Sequence, residues 1–230
     1  MKVTELADRV ELPKSTVSRL LSTMHAIGIV ANDDDNGEYV LGPAFYAMAS
    51  AGMPDASTAA AAQPYLLDLA STLGEATGLS VIDSGEVLYL SDNPAPSAIQ
   101  MSDWSGERAA IHLVPSGLVM MAWWPRKKID AYLKQPLEAT TSLSVVEPSL
   151  IRARLAKIRA TGYEIVRGEF VDDVSSVAAP IRDASGEVIA AIHAHGPSFR
   201  FLGDSTDDVV GEVVATADRI SSQLGWDPDA

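Results

Sequence analysis

Cysteine is absent from the chain, which excludes disulfides, thiolate metal centres and cysteine nucleophiles. No apolar run is long enough to span a bilayer, and residues 1–10 do not read as a signal peptide. A cytoplasmic protein without a membrane partner is therefore expected. Positive charge is scarce. The 17 Lys and Arg face 31 Asp and Glu, a formal net charge of −14, so general binding to polyanions is not expected. Missing too are a nucleophile elbow, a phosphate-binding glycine loop and a paired acid within a His-rich motif, so an enzyme is not indicated. What remains is a chain of 230 residues, 47% apolar and 21% charged, enough for one small globular domain and one of ordinary size.

The segment Leu12-Pro13-Lys14-Ser15-Thr16-Val17-Ser18-Arg19-Leu20-Leu21 carries the most information. Pro13 suits a first helical turn, where its missing N–H has no partner to lose. Val17, Leu20, Leu21 and Met24 recur at helical spacing and predict one buried stripe. Lys14, Ser15, Thr16, Ser18 and Arg19 then fall on the exposed side, near the helix N-terminus. Those residue types contact phosphates and base edges in a major groove, so they are the candidate DNA-binding residues. A preceding helix is predicted over Val3–Val10 from Val3, Leu6, Ala7 and Val10, with Thr4 as its cap. Glu11-Leu12 joins the two helices tightly, and Gly28 ends the second. Strands over Ile29–Asn32 and Glu38–Leu41 follow, with a turn at Asn36-Gly37. Helix, helix, hairpin is the order of a winged helix-turn-helix. Charge pulls the other way: residues 1–52 hold four basic groups against seven acids, net −3. The acids avoid the stretch between Leu12 and Asn32, but Asp33-Asp34-Asp35 at the wing tip would repel a phosphate backbone. The wing is expected to stand away from DNA or touch it weakly.

Beyond the wing, Ala44–Ala51 is predicted helical, and Gly52-Met53-Pro54 reads as a linker. A longer helix is expected over Asp55–Leu73, with Tyr65, Leu66, Leu69 and Leu73 as its apolar stripe and the Ala56–Ala62 run as a close helix contact. A hairpin is predicted from Leu79–Asp83 and Val87–Ser91, and a weaker strand over Ala98–Met101. Helices are expected over Pro115–Trp123, Arg126–Leu133 and Glu147–Thr161. In the last, Leu150, Ile151, Leu155 and Ile158 are placed inward, with Arg152, Arg154, Lys157 and Arg159 in water. Tyr163–Val166 starts a strand, and Ser175–Arg182 pairs with Glu187–His195 around Asp183-Ala184-Ser185-Gly186. A helix over Asp204–Leu224 closes the chain. The fold class read from this order is α+β: a winged helix-turn-helix over 1–43, a linker helix over 44–54, and an effector-binding domain of the GAF/PAS type over 55–230.

With both halves in view, the chain resembles the IclR-type transcriptional regulators over nearly its whole length. The motifs are Glu5-Leu6-Ala7, Leu12 to Leu21, Gly37 to Pro43, His112, Ser116-Gly117, Arg159-Ala160-Thr161-Gly162-Tyr163, Val177-Ala178-Ala179-Pro180-Ile181, and Gly196-Pro197 with Arg200. The resemblance implies a double-stranded DNA operator and a small-molecule effector, often a carboxylic or aromatic metabolite. It also implies assembly as a homodimer or homotetramer. Four departures stand out. The helix that family members carry ahead of Val3 is not in the sequence, which points to a start upstream or to a reduced DNA-binding domain. Val114 and Gly117-Leu118 stand where a Thr and a Gly-Lys pair are usual. Val166 replaces a common acid, and His193 and His195 replace small polar residues.

The resemblance places effector contacts on the strands Ser175–Ile181 and Ile189–His195 and around Ser116. On a strand, His193 and His195 point to one side, which Ala191 and Ile189 share. Two imidazoles at the end of an apolar pocket suit a carboxylate, phenol or carbonyl. Ser176 adds a hydroxyl, and Met101 and Trp104 are candidate walls. The candidate effector-binding residues are thus Met101, Trp104, Ser116, Ser176, His193 and His195. Alternatively, the two histidines face solvent or are bonded structurally. Or, with His112, they supply three nitrogen ligands to a metal. No metal or cofactor is assigned, and His112 is read as an anchor for the loop entering Pro115. Trp123-Trp124 is read as a core or interface pair. The function expected is a DNA-binding regulator controlled by a small acidic or aromatic effector. The alternatives are a sensor or scaffold with impaired DNA binding, and a His-cluster metal-dependent enzyme.

Overall fold

The computed structural model describes residues 3–10, 12–33, 38–41, 44, 54–94 and 103–228. Contacts divide the chain into two compact units, Met1–Ser57 and Thr58–Ala230.

The first unit contains helices α1 (Val3–Arg9) and α2 (Lys14–Ala26) and strands β1 (Val30–Asp33) and β2 (Glu38–Leu41), which pair antiparallel with Val30 opposite Leu41. Its core is small. Ala7, Val17 and Leu21 are buried, with Val3, Leu6, Val30 and Tyr39 packed against them. The predicted stripe on α2 is corrected: Leu20 and Met24 are 45% and 38% exposed. Val17 and Leu21 alone, spaced i, i+4, reach α1, because so short a partner covers only one narrow strip. Val10 is also exposed. Thr4 lies within α1 and does not cap it, and Pro13 is the N-cap of α2, one position outside the first turn. Gly28 ends the helix with φ +75°, its N–H bonded to the His25 carbonyl and the next N–H to Met24. The Asn36-Gly37 turn, the Asp34-Asp35 wing tip, the helix expected over residues 45–51 and the Gly52-Met53 linker lie outside the described residues.

The second unit is built on a six-stranded antiparallel sheet in the order β5-β4-β3-β8-β7-β6. Its strands are β3 (Ala76–Asp83), β4 (Glu86–Asn93), β5 (Arg108–Ala109), β6 (Glu164–Arg167), β7 (Val174–Arg182) and β8 (Val188–Pro197). Both hairpins turn where expected. On one face lie α3 (Pro54–Leu73) and α7 (Thr206–Gln223), and Ala62, Leu66, Leu69, Val213 and Ile220 join Leu79, Val177, Ile181 and Ile192 in one buried cluster. Of the alanine run, Ala62 and Ala59 reach this cluster of strand and helix residues, and Ala60 is exposed. On the other face lie α4 (Pro115–Met121), α5 (Arg126–Tyr132) and α6 (Pro148–Thr161), whose Leu118, Ile129, Leu155 and Ile158 pack with Val87, Val166 and Ala178. Every residue of α4 is buried, and its Gly117 is obligatory: a Cβ there would come within 2.2 Å of the Ile111 carbonyl oxygen.

Two assignments on α6 are corrected. Leu150 is 55% exposed, since it sits in the first turn beside the N-cap Glu147 and beyond the reach of the sheet. Arg154 is not in water. Its guanidinium bridges Glu164 at 3.0 Å and Glu169 at 2.7 Å, two nearly buried carboxylates that require a cation. Trp123 and Trp124 are half-buried, each beneath a cation, Arg182 and Lys128 respectively. The strand expected at Ala98–Met101 lies outside the described residues. Among the described residues, no helix is long and apolar enough to cross a membrane.

Candidate functional site

In the first unit, Lys14, Ser15, Ser18 and Arg19 are exposed, and Thr16 is half-buried. Val17 and Leu21 fix the roll of α2, which leaves the N-terminal polar face outward. Five residues of groove-contacting type therefore occupy two turns of one helix, the geometry in which a recognition helix presents its first residues to base edges.

In the second unit, Trp104, Ser116, Ser176, His193 and His195 come together around one cavity. Met101 lies outside the described residues. The cavity is narrow, with about 450 Å3 between its walls including the part that opens to solvent. Val114, Val166 and Phe170 make it largely apolar, and with the two histidines three of the four departures from the family pattern line it. Trp104 packs between Tyr89 and Phe170, with ring centroids 5.9 and 5.4 Å away.

The polar end is built by register. Gly78 of β3 pairs with His193 of β8, and a Cβ on Gly78 would lie 2.6 Å from the imidazole and 2.2 Å from the Ser91 carbonyl oxygen. Only glycine leaves room for this ring. Ser176 of β7 pairs with His195, which sets the hydroxyl beside the second ring on the same face. The imidazoles stack with centroids 5.6 Å apart, and Tyr89 meets His193 edge-on. His193 Nδ1 lies 3.1 Å from Ser80 Oγ, itself 3.4 Å from Ser116 Oγ.

A third group, Asp92, was not foreseen. Strand alternation from Tyr89 puts Asp92 on the opposite face, with Leu88 and Leu90. A β-bulge intervenes: Ser80 pairs with Tyr89 but the adjacent Leu79 pairs with Ser91, so Leu90 is the extra residue. Asp92 then pairs with Gly78 and turns toward the histidines. Its Oδ2 accepts the Trp104 N–H at 3.1 Å. His193 Nε2 stands 4.0 Å from Oδ1, and His195 Nε2 stands 3.7 Å from Oδ2. All three side chains are buried. Asp92 Oδ1 and both Nε2 atoms have no hydrogen-bond partner among the described residues.

Burial governs the ionisation. Desolvation raises the Asp92 carboxyl to about 6. It depresses His195 to about 4, and burial together with the neighbouring His195 ring holds His193 well below the ordinary histidine value. Both imidazoles are therefore neutral at pH 7, when each can donate at one nitrogen and accept, or ligate, at the other.

His112 does not join them. Its Nδ1 lies 2.8 Å from the Tyr132 hydroxyl and its Nε2 3.0 Å from the Glu138 carbonyl oxygen. Both ring nitrogens are engaged, so the three-histidine metal cluster does not form. His112 ties the turn before Pro115 to α5 and to the loop that follows.

Two family models match the chain. The bacterial transcriptional regulator IclR C-terminal domain covers residues 54–222, and the IclR helix-turn-helix domain covers residues 1–34. The chain belongs to the IclR family. IclR-family proteins are transcriptional regulators and not enzymes, which removes the metal-dependent enzyme from consideration. The chain is 29% identical to the HTH-type transcriptional regulator BhcR of Paracoccus denitrificans over 95% of its own length and 78% of that protein. The crystal structure of Thermotoga maritima IclR shares the fold, with a TM-score of 0.71 at 24% identity over 98% of this chain and 92% of that one. An IclR homolog from Microbacterium hydrocarbonoxydans, crystallised in complex with 4-hydroxybenzoate, matches with a TM-score of 0.70 at 26% identity over 97% and 91% of the two chains. As an IclR-type regulator, the chain carries a DNA-binding helix-turn-helix and an α+β C-terminal domain.

Proposed function

We propose that this IclR-family chain binds an operator through Lys14, Ser15, Thr16, Ser18 and Arg19, and that a small acidic or aromatic effector in the Trp104–His193 cavity sets its affinity for that operator. The supporting observation is the cavity itself: apolar and aromatic walls converge on two buried neutral imidazoles and two serine hydroxyls. That is the composition of a site for a small organic molecule with one polar end. 4-Hydroxybenzoate, the ligand of the Microbacterium relative, is a carboxylate on an aromatic ring and belongs to the same chemical class. Residues 1–43 act as the DNA-binding domain, 44–54 as the linker and 55–230 as the sensor, in a homodimer or homotetramer working in the cytoplasm. The effector acts by favouring one of two arrangements of the protein, with reciprocal coupling between effector and operator affinity.

The experiment is a thermal-shift screen of aliphatic and aromatic carboxylates, 4-hydroxybenzoate among them. It is followed by mobility-shift assays on operator fragments selected from genomic DNA. The expected result is an acid that raises Tm, shifts operator affinity, and loses both effects in the His193→Ala, His195→Ala double variant. An acid whose effects persist in that variant refutes the placement.

A further inference from the structure

Asp92 Oδ1, His193 Nε2 and His195 Nε2 are buried, lack hydrogen-bond partners among the described residues, and face one another. Each of the three side chains can offer one ligand atom so that all three lie within 4.8 Å of one another. The separations between carboxylate and ring nitrogens are too long for hydrogen bonds. They are close to those between neighbouring ligands of one small cation bound at about 2.0–2.2 Å.

The surroundings orient the ligand atoms. When the Ser80 hydroxyl hydrogen is directed at Ser116, Ser80 Oγ accepts from His193 Nδ1–H. Nε2 then carries the lone pair, aimed at a carboxylate oxygen. Lone pair against carboxylate is repulsive, and a cation between them reverses the sign. Asp92 is held from behind by the Trp104 N–H on Oδ2. A hydroxyl behind one imidazole and a backbone amide behind the carboxylate are outer-shell supports of the kind metal ligands have. Two imidazoles and one carboxylate suit zinc or another divalent first-row ion, whereas calcium and magnesium favour all-oxygen shells.

We propose that Asp92, His193 and His195 form a three-ligand site for a divalent transition-metal ion, zinc foremost, with its remaining coordination positions open to the cavity that the two imidazoles line. That an acidic effector fills those positions rests on the function proposed above; the binding of the ion does not. The site differs from the three-histidine cluster suggested by the sequence, because Asp92 takes the place of His112.

The test uses the full chain and the metal alone. Protein stripped with a chelator is reloaded with Zn2+ and its metal content measured, then reloaded with Co2+ and its visible absorption recorded. Asp92→Asn and His195→Gln, both close in size to the originals, are treated alongside, with circular dichroism as the check on folding. About one zinc per chain is expected, with cobalt bands of a low-coordinate histidine site and affinity about 100-fold weaker in each folded variant. Stripped, folded wild type that takes up no zinc overturns the proposal. So does zinc affinity unchanged in Asp92→Asn. Zinc binding through these ligands, with no operator response to any acid, upholds the metal site and sinks the effector reading. A full operator response to an acid in protein that takes up no zinc does the reverse.

Discussion

Ala190, Ile192 and Ala194 of β8 face a cluster that includes Leu66, Leu69 and Val213. One residue out of step, His193 and His195 face the narrow cavity with Ser176 beside them. All five residues are buried, yet one face is closed by side chains that want nothing but contact, and the other by groups with atoms left unpaired. Burial alone therefore says little about what a residue contributes. Apolar burial at the alternate positions anchors the sheet, and its stability allows the intervening positions to hold polar atoms at a cost of about 1–3 kcal/mol each when unpartnered. A single strand serves as scaffold on one side and lines the cavity on the other.

The largest effect that sharpens this contrast is expected from Ile192→Ala. Truncating a fully buried side chain on the anchoring face should cost about 2–5 kcal/mol in urea denaturation. A loss under 1 kcal/mol would break the contrast. Next comes Gly78→Ala, whose new methyl meets the His193 ring and the Ser91 carbonyl oxygen. A loss of about 1–3 kcal/mol is expected, with displacement of the imidazole visible as a change in its NMR shifts. His195→Leu should behave oppositely when measured in chelator. Stability should hold or rise by about 1 kcal/mol, because an unpartnered polar atom is replaced by apolar volume, while any response to acids is lost. Destabilisation as large as that of Ile192→Ala would erase the distinction between the faces. Arg19→Ala, on the exposed face of α2, should move stability by no more than about 0.5 kcal/mol. Its operator affinity should fall about tenfold or more, with effector affinity unchanged.

Much of the fold was legible because periodicity and punctuation agreed. Glycines and polar turns marked both hairpins of the second unit, and helical spacing gave α3, α6 and α7 within a few residues. Misreadings arose where a neighbour decided burial. Leu20 and Met24 fit the helical period as well as Val17 and Leu21, but α1 is too short to cover them. Arg154 fits a solvated face, but Glu164 and Glu169, ten and fifteen residues further on, draw it inward. At the cavity, the family resemblance pointed to the strands that hold Ser176, His193 and His195, and simple alternation was enough to put the two histidines on one side. It failed for Asp92, because strict period two cannot register an extra residue, and nothing in Tyr89-Leu90-Ser91 marks a bulge in the way a glycine would. Tyr89, by contrast, follows alternation from Val87 and could have been found.

The irregularity at Leu90 has one more consequence. Strand pairing, as much as residue identity, decides which chemical group meets the two imidazoles. With every residue kept and the bulge smoothed out, Ser91 would stand opposite Gly78 and the carboxylate would swing to the far side of the sheet, turning an acid-bearing chamber into one offering only a hydroxyl; dropping Leu90 would instead leave Asp92 opposite Gly78 in a regular strand. The acid at the polar end is thus set from outside the chamber, by β4 gathering its extra residue into one bulge at Leu90 before the pairing reaches Gly78.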